Sequence, residues 1–182
     1  PVHVLIRPRS GNFYYSTIEF EQIKKDIKIC KEFGFNGIVS GVLNEDNTID
    51  IKRTKELVAI SKPLSFTFHR AFDCAENPKK SLLELIDMGI DRVLTSGLEE
   101  KAENGIELLI DLQEIAKDNL IILPASGINQ KNVHLFKKVG FKEIHSSASK
   151  IIKSSSVFFD KTHQTVSDIE TIEDILKVIK NA

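Results

Sequence analysis

The chain has 182 residues, 41% of them hydrophobic and 28% charged, with a formal net charge of -1. This is the composition of an ordinary globular protein, and the length fits one domain over residues 1–182. The balanced charge offers no field for nucleic acid or an anionic membrane, no apolar run is long enough to span a bilayer, and the two cysteines, Cys30 and Cys74, form no disulfide framework.

In chain order, Val2 to Arg9 reads as a first strand. Its parity puts Val4 and Ile6 against helices and turns Arg7 and Arg9 to the opposite, inner face. Ser16-Thr17-Ile18-Glu19 is a capping box, and Phe20, Ile23, Ile27 and Cys30 then form one helical stripe. Gly37 to Leu43 is a second strand, and Asp50 caps the helix carrying Leu57 and Ile60. The run from Leu64 to Asp73 is a third strand with Thr67 and His69 inward, Arg70 at the rim and Asp73 at its end. Asn77-Pro78 opens the next helix.

Arg92 to Gly97 is a fourth strand ending in Thr95-Ser96-Gly97, and Leu120 to Gly127 a fifth ending in Ala125-Ser126-Gly127. Asn129 is expected to cap the helix carrying Val133 and Phe136. Glu143 to Ala148 is a sixth strand, with Ile144 toward helices and His145 and Ser147 inward. Residues 150–164, which include His163, have no periodicity, and a last helix from about Ser167 buries Ile169, Ile172, Ile175 and Ile179. Gly34, Gly89 and Gly140 recur at near-equal intervals where a helix stops before a strand.

Strand and helix alternate throughout, so the fold class is α/β with a parallel sheet. Six units fit either an open doubly wound sheet or part of a (β/α)8 barrel. In both, ligands sit at the carboxyl ends of the strands, where the polar clusters lie. Two inward arginines need an anion or several carboxylates. His69 reads as an acid–base group tuned by Asp73, or as a hydrogen-bonded core histidine beside an Arg70–Asp73 pair. The turns at Thr95-Ser96 and Ser126-Gly127 either cradle an anion on backbone N–H groups or merely reverse the chain. The residues alone make a poor metal site: Cys30 reads as a buried structural thiol, Cys74, after the strand end at Asp73, is the better-placed soft donor, and no zinc spacing exists.

Ile-Arg-Pro-Arg at 6–9, Thr-Phe-His-Arg-Ala-Phe-Asp at 67–73, Leu-Thr-Ser-Gly at 94–97, Ser-Gly-Ile at 126–128 and Glu-Ile-His-Ser-Ser-Ala at 143–148 resemble the CutC copper homeostasis family over residues 1–150. The resemblance implies a (β/α)8 TIM barrel, here lacking the first two βα units so that six parallel strands remain. It implies a cytoplasmic copper homeostasis protein, with Cu(I) held through His69, His145 and Cys74 or through cysteines of the two absent units, although Cys74 stands where many family members have an apolar residue. It also maps Arg7, Arg9, His69, Arg70, Asp73, Thr95, Ser96 and His145 to the mouth. Residue chemistry points elsewhere: to a barrel enzyme with His69 and Asp73 as catalytic groups, acting on a phosphorylated or carboxylated metabolite. Arg7, Arg9, Arg70, Thr95, Ser96, Ser126, Gly127 and Ser147 would hold that anion. A non-catalytic scaffold is the third reading. The expected partners are copper or a small anion, with a homo-oligomer (dimer or tetramer) and neither nucleic acid nor membrane.

Overall fold

A computed structural model describes residues 1–153 and 164–181. Five short strands, β1 (His3–Leu5), β2 (Gly37–Ser40), β3 (Ser65–Phe68), β4 (Arg92–Thr95) and β5 (Ile121–Pro124), form one sheet, every pair parallel. Their order in the sheet is their order in the chain. A doubly wound sheet reverses order at a switch point, whereas a barrel never does. The sheet is therefore an arc of the barrel kind. The helices α1 (Thr17–Glu32), α2 (Ile51–Ser61), α3 (Pro78–Asp87), α4 (Ile106–Ala116), α5 (Val133–Val139) and α6 (Ile169–Asn181) complete the βα alternation. Among the described residues no helix is long and apolar enough to cross a membrane.

The strands are shorter than the apolar runs that encode them, because each polar tail leaves the ladder to make a turn. After β3 the tail becomes a 3-10 turn, Arg70–Cys74, capped by His69. The expected sixth strand is reduced to one parallel bridge, Ala125 with His145. What pins this segment is a side-chain bond: Arg92 grips Glu143 with two bonds of 2.8 Å and reaches Ser65 Oγ at 2.8 Å. The segment expected to be irregular instead forms, at its two ends, an antiparallel pair, β6 (Ser149–Lys153) with β7 (Gln164–Ser167). Residues 154–163, His163 with them, lie outside the described residues.

Local signals act as the sequence dictates. Ser16 and Glu19 close a capping box, and α1 buries Phe20, Ile23, Ile27 and Cys30. Asp50 and Asn77 cap α2 and α3. Two expectations are corrected. Asn132, not Asn129, precedes α5, because the Asn129 side chain folds back onto Lys131 N–H and the Gly127 carbonyl. In α6 Ile175 is buried, but Ile169 is 73% exposed, so the inner face is turned toward Val178 and Ile179.

The core lies between sheet and helices, around Ile38, Phe66, Phe68, Val93 and Ile122. The other face of the arc lines an open cavity of about 550 Å³ bounded by His3, Leu5, Val39, Thr67, Leu94 and Leu123. At the carboxyl end of β4 two backbone segments touch. A Cβ on Gly105 would stand 2.2 Å from the Ser96 carbonyl oxygen, and one on Gly97 would stand 2.4 Å from the Gly105 carbonyl oxygen. Gly105→Ala is therefore expected to cost more than about 1 kcal/mol of stability in urea unfolding. A variant as stable as the wild type would show that this crossing has slack.

Candidate functional site

The mouth is built from the tails of β1 to β5, and one carboxylate organises its centre. Asp73, in the 3-10 turn, accepts the Thr95 hydroxyl at 2.5 Å, Ser96 N–H at 3.1 Å and Arg70 Nε at 2.7 Å. Leu98 N–H approaches the same carboxylate at 3.4 Å, while Gly97 N–H goes to Thr95 Oγ1 at 3.0 Å. The Thr95-Ser96-Gly97 turn is thus an anion-binding nest in geometry, but its anion is the chain's own Asp73. Arg70 Nη2 also reaches Ser96 Oγ at 2.9 Å, and that hydroxyl donates to the Glu99 carbonyl. The structure brings Arg70, Asp73, Thr95 and Ser96 together as one clamp.

Arg9 is equally committed. Nε bonds Glu19 at 2.5 Å, Nη1 reaches the carbonyls of Ser10 and Asn12, and Nη2 reaches Asn12 Oδ1 and the Tyr14 carbonyl. Four of its five N–H donors shape the loop from Ser10 to Tyr14, and the fifth pairs with Glu19 of α1. It does not face the interior as strand parity implied, because the chain leaves the sheet after Leu5.

Arg7 is different. Its Nη2 donates to the Gly11 carbonyl, and its guanidinium lies 4.5 Å above the Phe13 ring. That ring also packs on His69, with centroids 4.7 Å apart. His69 is 4% exposed. Its Nδ1 accepts Ala71 N–H at 3.2 Å, which places the ring proton on Nε2. Burial, with the Arg7 charge adding in the same direction, pushes the imidazole down to about 4. Gly41 makes room for the ring, since a Cβ there would stand 2.9 Å from His69 Nδ1. His69 is therefore a neutral donor at physiological pH, not a base through Nε2.

The remaining sequence candidates stand apart. Ser126 Oγ donates to the Glu100 carbonyl at 2.7 Å, and the Gly127 carbonyl takes the Asn129 and Asn132 amides. Ser147 is exposed, 3.2 Å from Ser149 Oγ. His145 opens to the inner cavity, whose walls lower its pKa by desolvation. Cys74 is exposed, and Cys30 is on the buried face of α1, its thiol pushed up by burial. Among the described residues no group of three or more His, Cys, Asp or Glu side chains is arranged to hold a metal ion. Cys74 ends the 3-10 turn after β3 and His145 lines the inner cavity, and neither belongs to a group of three such side chains among the described residues. Sequence reading missed Phe13 and Tyr15. The aromatic run Phe13-Tyr14-Tyr15, so close to Arg7 and Arg9 in an otherwise polar loop, was the available signal.

The sequence profile of the CutC family matches residues 1–150. A family protein CutC from Pectobacterium atrosepticum is 39% identical, matching 100% of this chain and 75% of its own length. One from Edwardsiella ictaluri is 44% identical over 85% of this chain. The chain spans only 61% of the Edwardsiella relative's length and 63% of that from Photorhabdus laumondii. A solved structure from Streptococcus agalactiae, named as a copper homeostasis protein CutC, superposes with a TM-score of 0.74 at 30% identity, covering 79% of this chain and 70% of that one.

Two outcomes follow from the site geometry. Unfolded, His69 titrates near 6.5, and folded near 4. Between these values the unfolded chain binds the extra proton. The stability is thus present above pH 6.5 and lost as pH falls toward 4, by roughly 3 kcal/mol. Urea unfolding from pH 7 to 4 should show this loss in the wild type and not in His69→Asn; parallel curves would contradict it. Asp73→Asn should cost roughly 2–4 kcal/mol, since it removes the charge that the clamp's donors solvate; an unchanged unfolding midpoint would mean that the clamp carries no stability.

Proposed function

This chain belongs to the CutC family, and we propose that it works in copper homeostasis, in the cytoplasm, by binding a small anionic molecule at the mouth of the sheet. The observation that carries the reading is His69. It is a buried neutral imidazole whose tautomer is fixed by Ala71 N–H and whose Nε2–H points away from that bond beside a cationic Arg7. A neutral imidazole held this way donates a hydrogen bond to a substrate oxygen and stabilises charge developing there without surrendering a full proton. Asp73 supports this only at a distance, by holding the turn whose first residue follows His69. The copper role comes from the name borne by the Streptococcus protein. Arg7, which pairs with no carboxylate of the described residues, favours an anion over a metal cation as direct ligand.

The test is copper tolerance in cells lacking their own family member and supplied with the whole protein. Wild type should restore growth on copper; His69→Asn, at equal abundance, should not. Full protection by that variant would remove His69 from the function. In an anaerobic competition with a Cu(I) chelator, affinity should be the same for wild type, Cys74→Ala and His145→Ala. Weaker binding by both variants would return those residues to the role of copper ligands.

A further inference from the structure

Five buried polar side-chain atoms have no hydrogen-bond partner among the described residues: Arg7 Nε, Tyr15 Oη, Thr54 Oγ1, Thr67 Oγ1 and His69 Nε2. Three of them belong to one neighbourhood. Arg7 and His69 share the Phe13 ring as a common wall, at 4.5 and 4.7 Å. The Tyr15 hydroxyl, on a residue 1% exposed, lies beside the Arg7 guanidinium. Such atoms are rare, because each buried group left unpaired costs about 1–3 kcal/mol.

All three can donate. Arg7 Nε–H is always a donor, His69 carries its proton on Nε2, and a phenol donates through its one O–H. No carboxylate of the described residues is within ion-pair distance of Arg7. The nearby ones are engaged: Glu19 by Arg9 and Ser16 N–H, Asp73 by the clamp, and Asp26, in the groove that Arg7 also lines, by Gln22 at 2.7 Å. Among the described residues these are donors alone, with one positive charge that no carboxylate pairs, and they match a group that offers only acceptors and a negative charge.

We propose that Arg7, Tyr15 and His69 form the receptor for one small oxyanion, a carboxylate or a phosphate group, covered by the Phe13 ring. This rests on the reading of the mouth as a small-molecule site and gives the chemical class of what binds there. Arg7 supplies charge and one directed N–H. His69 supplies a neutral donor that burial keeps from taking up a proton. Tyr15 adds a third donor beside Arg7, and Phe13 excludes water from Arg7 and His69, which strengthens their bonds. Arg9 acts on the receptor only by shaping the loop that carries Phe13.

The experiment is a titration of the whole protein, labelled with 15N in histidine, with inorganic phosphate and separately with acetate, at constant ionic strength and pH 7.5. The His69 Nε2 resonance is the readout. Either anion should shift it saturably, and the anion that binds tighter identifies the group. Arg7→Lys keeps a charge but loses Nε–H, and Tyr15→Phe loses only the hydroxyl. Each should weaken binding about tenfold or more, the value of one charge-assisted bond, with the rest of the spectrum unchanged. No shift with either anion would overturn the proposal and assign the three donors to water. A shift that both variants leave intact would overturn it too, by placing the anion elsewhere. The two readings separate cleanly: anion binding with no copper phenotype for His69→Asn sinks the function alone, and the phenotype without anion binding sinks this receptor alone.

Discussion

The mouth depends on one carboxylate. Asp73 sits in a 3-10 turn after β3, yet its donors come mainly from the turn after β4. Parallel strands share no hairpin, so their carboxyl ends are tied only by what their loops do. Asp73 does the tying here, with Arg70 neutralising it from its own turn. The N–H groups of Ser96 and Leu98 find their acceptor inside the chain. A site that looks ready for a phosphate is thereby closed to one, and the rigidity gained holds His69 at the start of the same turn.

His69 then inherits its chemistry from position. The residue before the 3-10 turn has an unpaired N–H two residues on, and a nitrogen of the ring caps it. That bond fixes the tautomer. Burial under Phe13 and beside Gly41 removes the water that would support a charged ring. Neither the tautomer nor the lowered pKa needs a special partner; both come from where the turn places the side chain. The two arginines of the first strand run diverge for a similar reason. Arg9 reaches a loop full of carbonyls and is consumed by it, whereas Arg7 meets an aromatic face and keeps a free N–H.

The lower part of the arc obeys a different constraint. Glu143 and Arg92 make a two-bond ion pair, which raises the arginine's pKa and lowers the carboxylate's through the same contact. With a single backbone bridge beside it, this pair fixes where the chain after α5 meets the sheet. An arginine suits the task because its planar fork matches a carboxylate in both distance and direction.

Much of this was written in the sequence. Ser16 with Glu19, Asp50, Asn77-Pro78 and the glycines at 34, 89 and 140 specify helix ends through local hydrogen bonds and backbone conformation, which need no distant partner. The alternation of apolar runs and amphipathic stretches determined the α/β class, and the motif at 67–73 determined the family. Tertiary structure alone decided which polar residues remain available. Strand parity put Arg7 and Arg9 together, but parity fails once the chain leaves the ladder, and the acceptors of the loop after β1, with Glu19 of α1, then took up Arg9 alone. Asp73 reads as a candidate catalyst until Thr95 and Ser96, from another unit, are seen to claim it. Tyr15 and Phe13 carry no motif and become part of the mouth only because β1, β2 and β3 lie side by side, so that the loop after one strand covers the histidine after another.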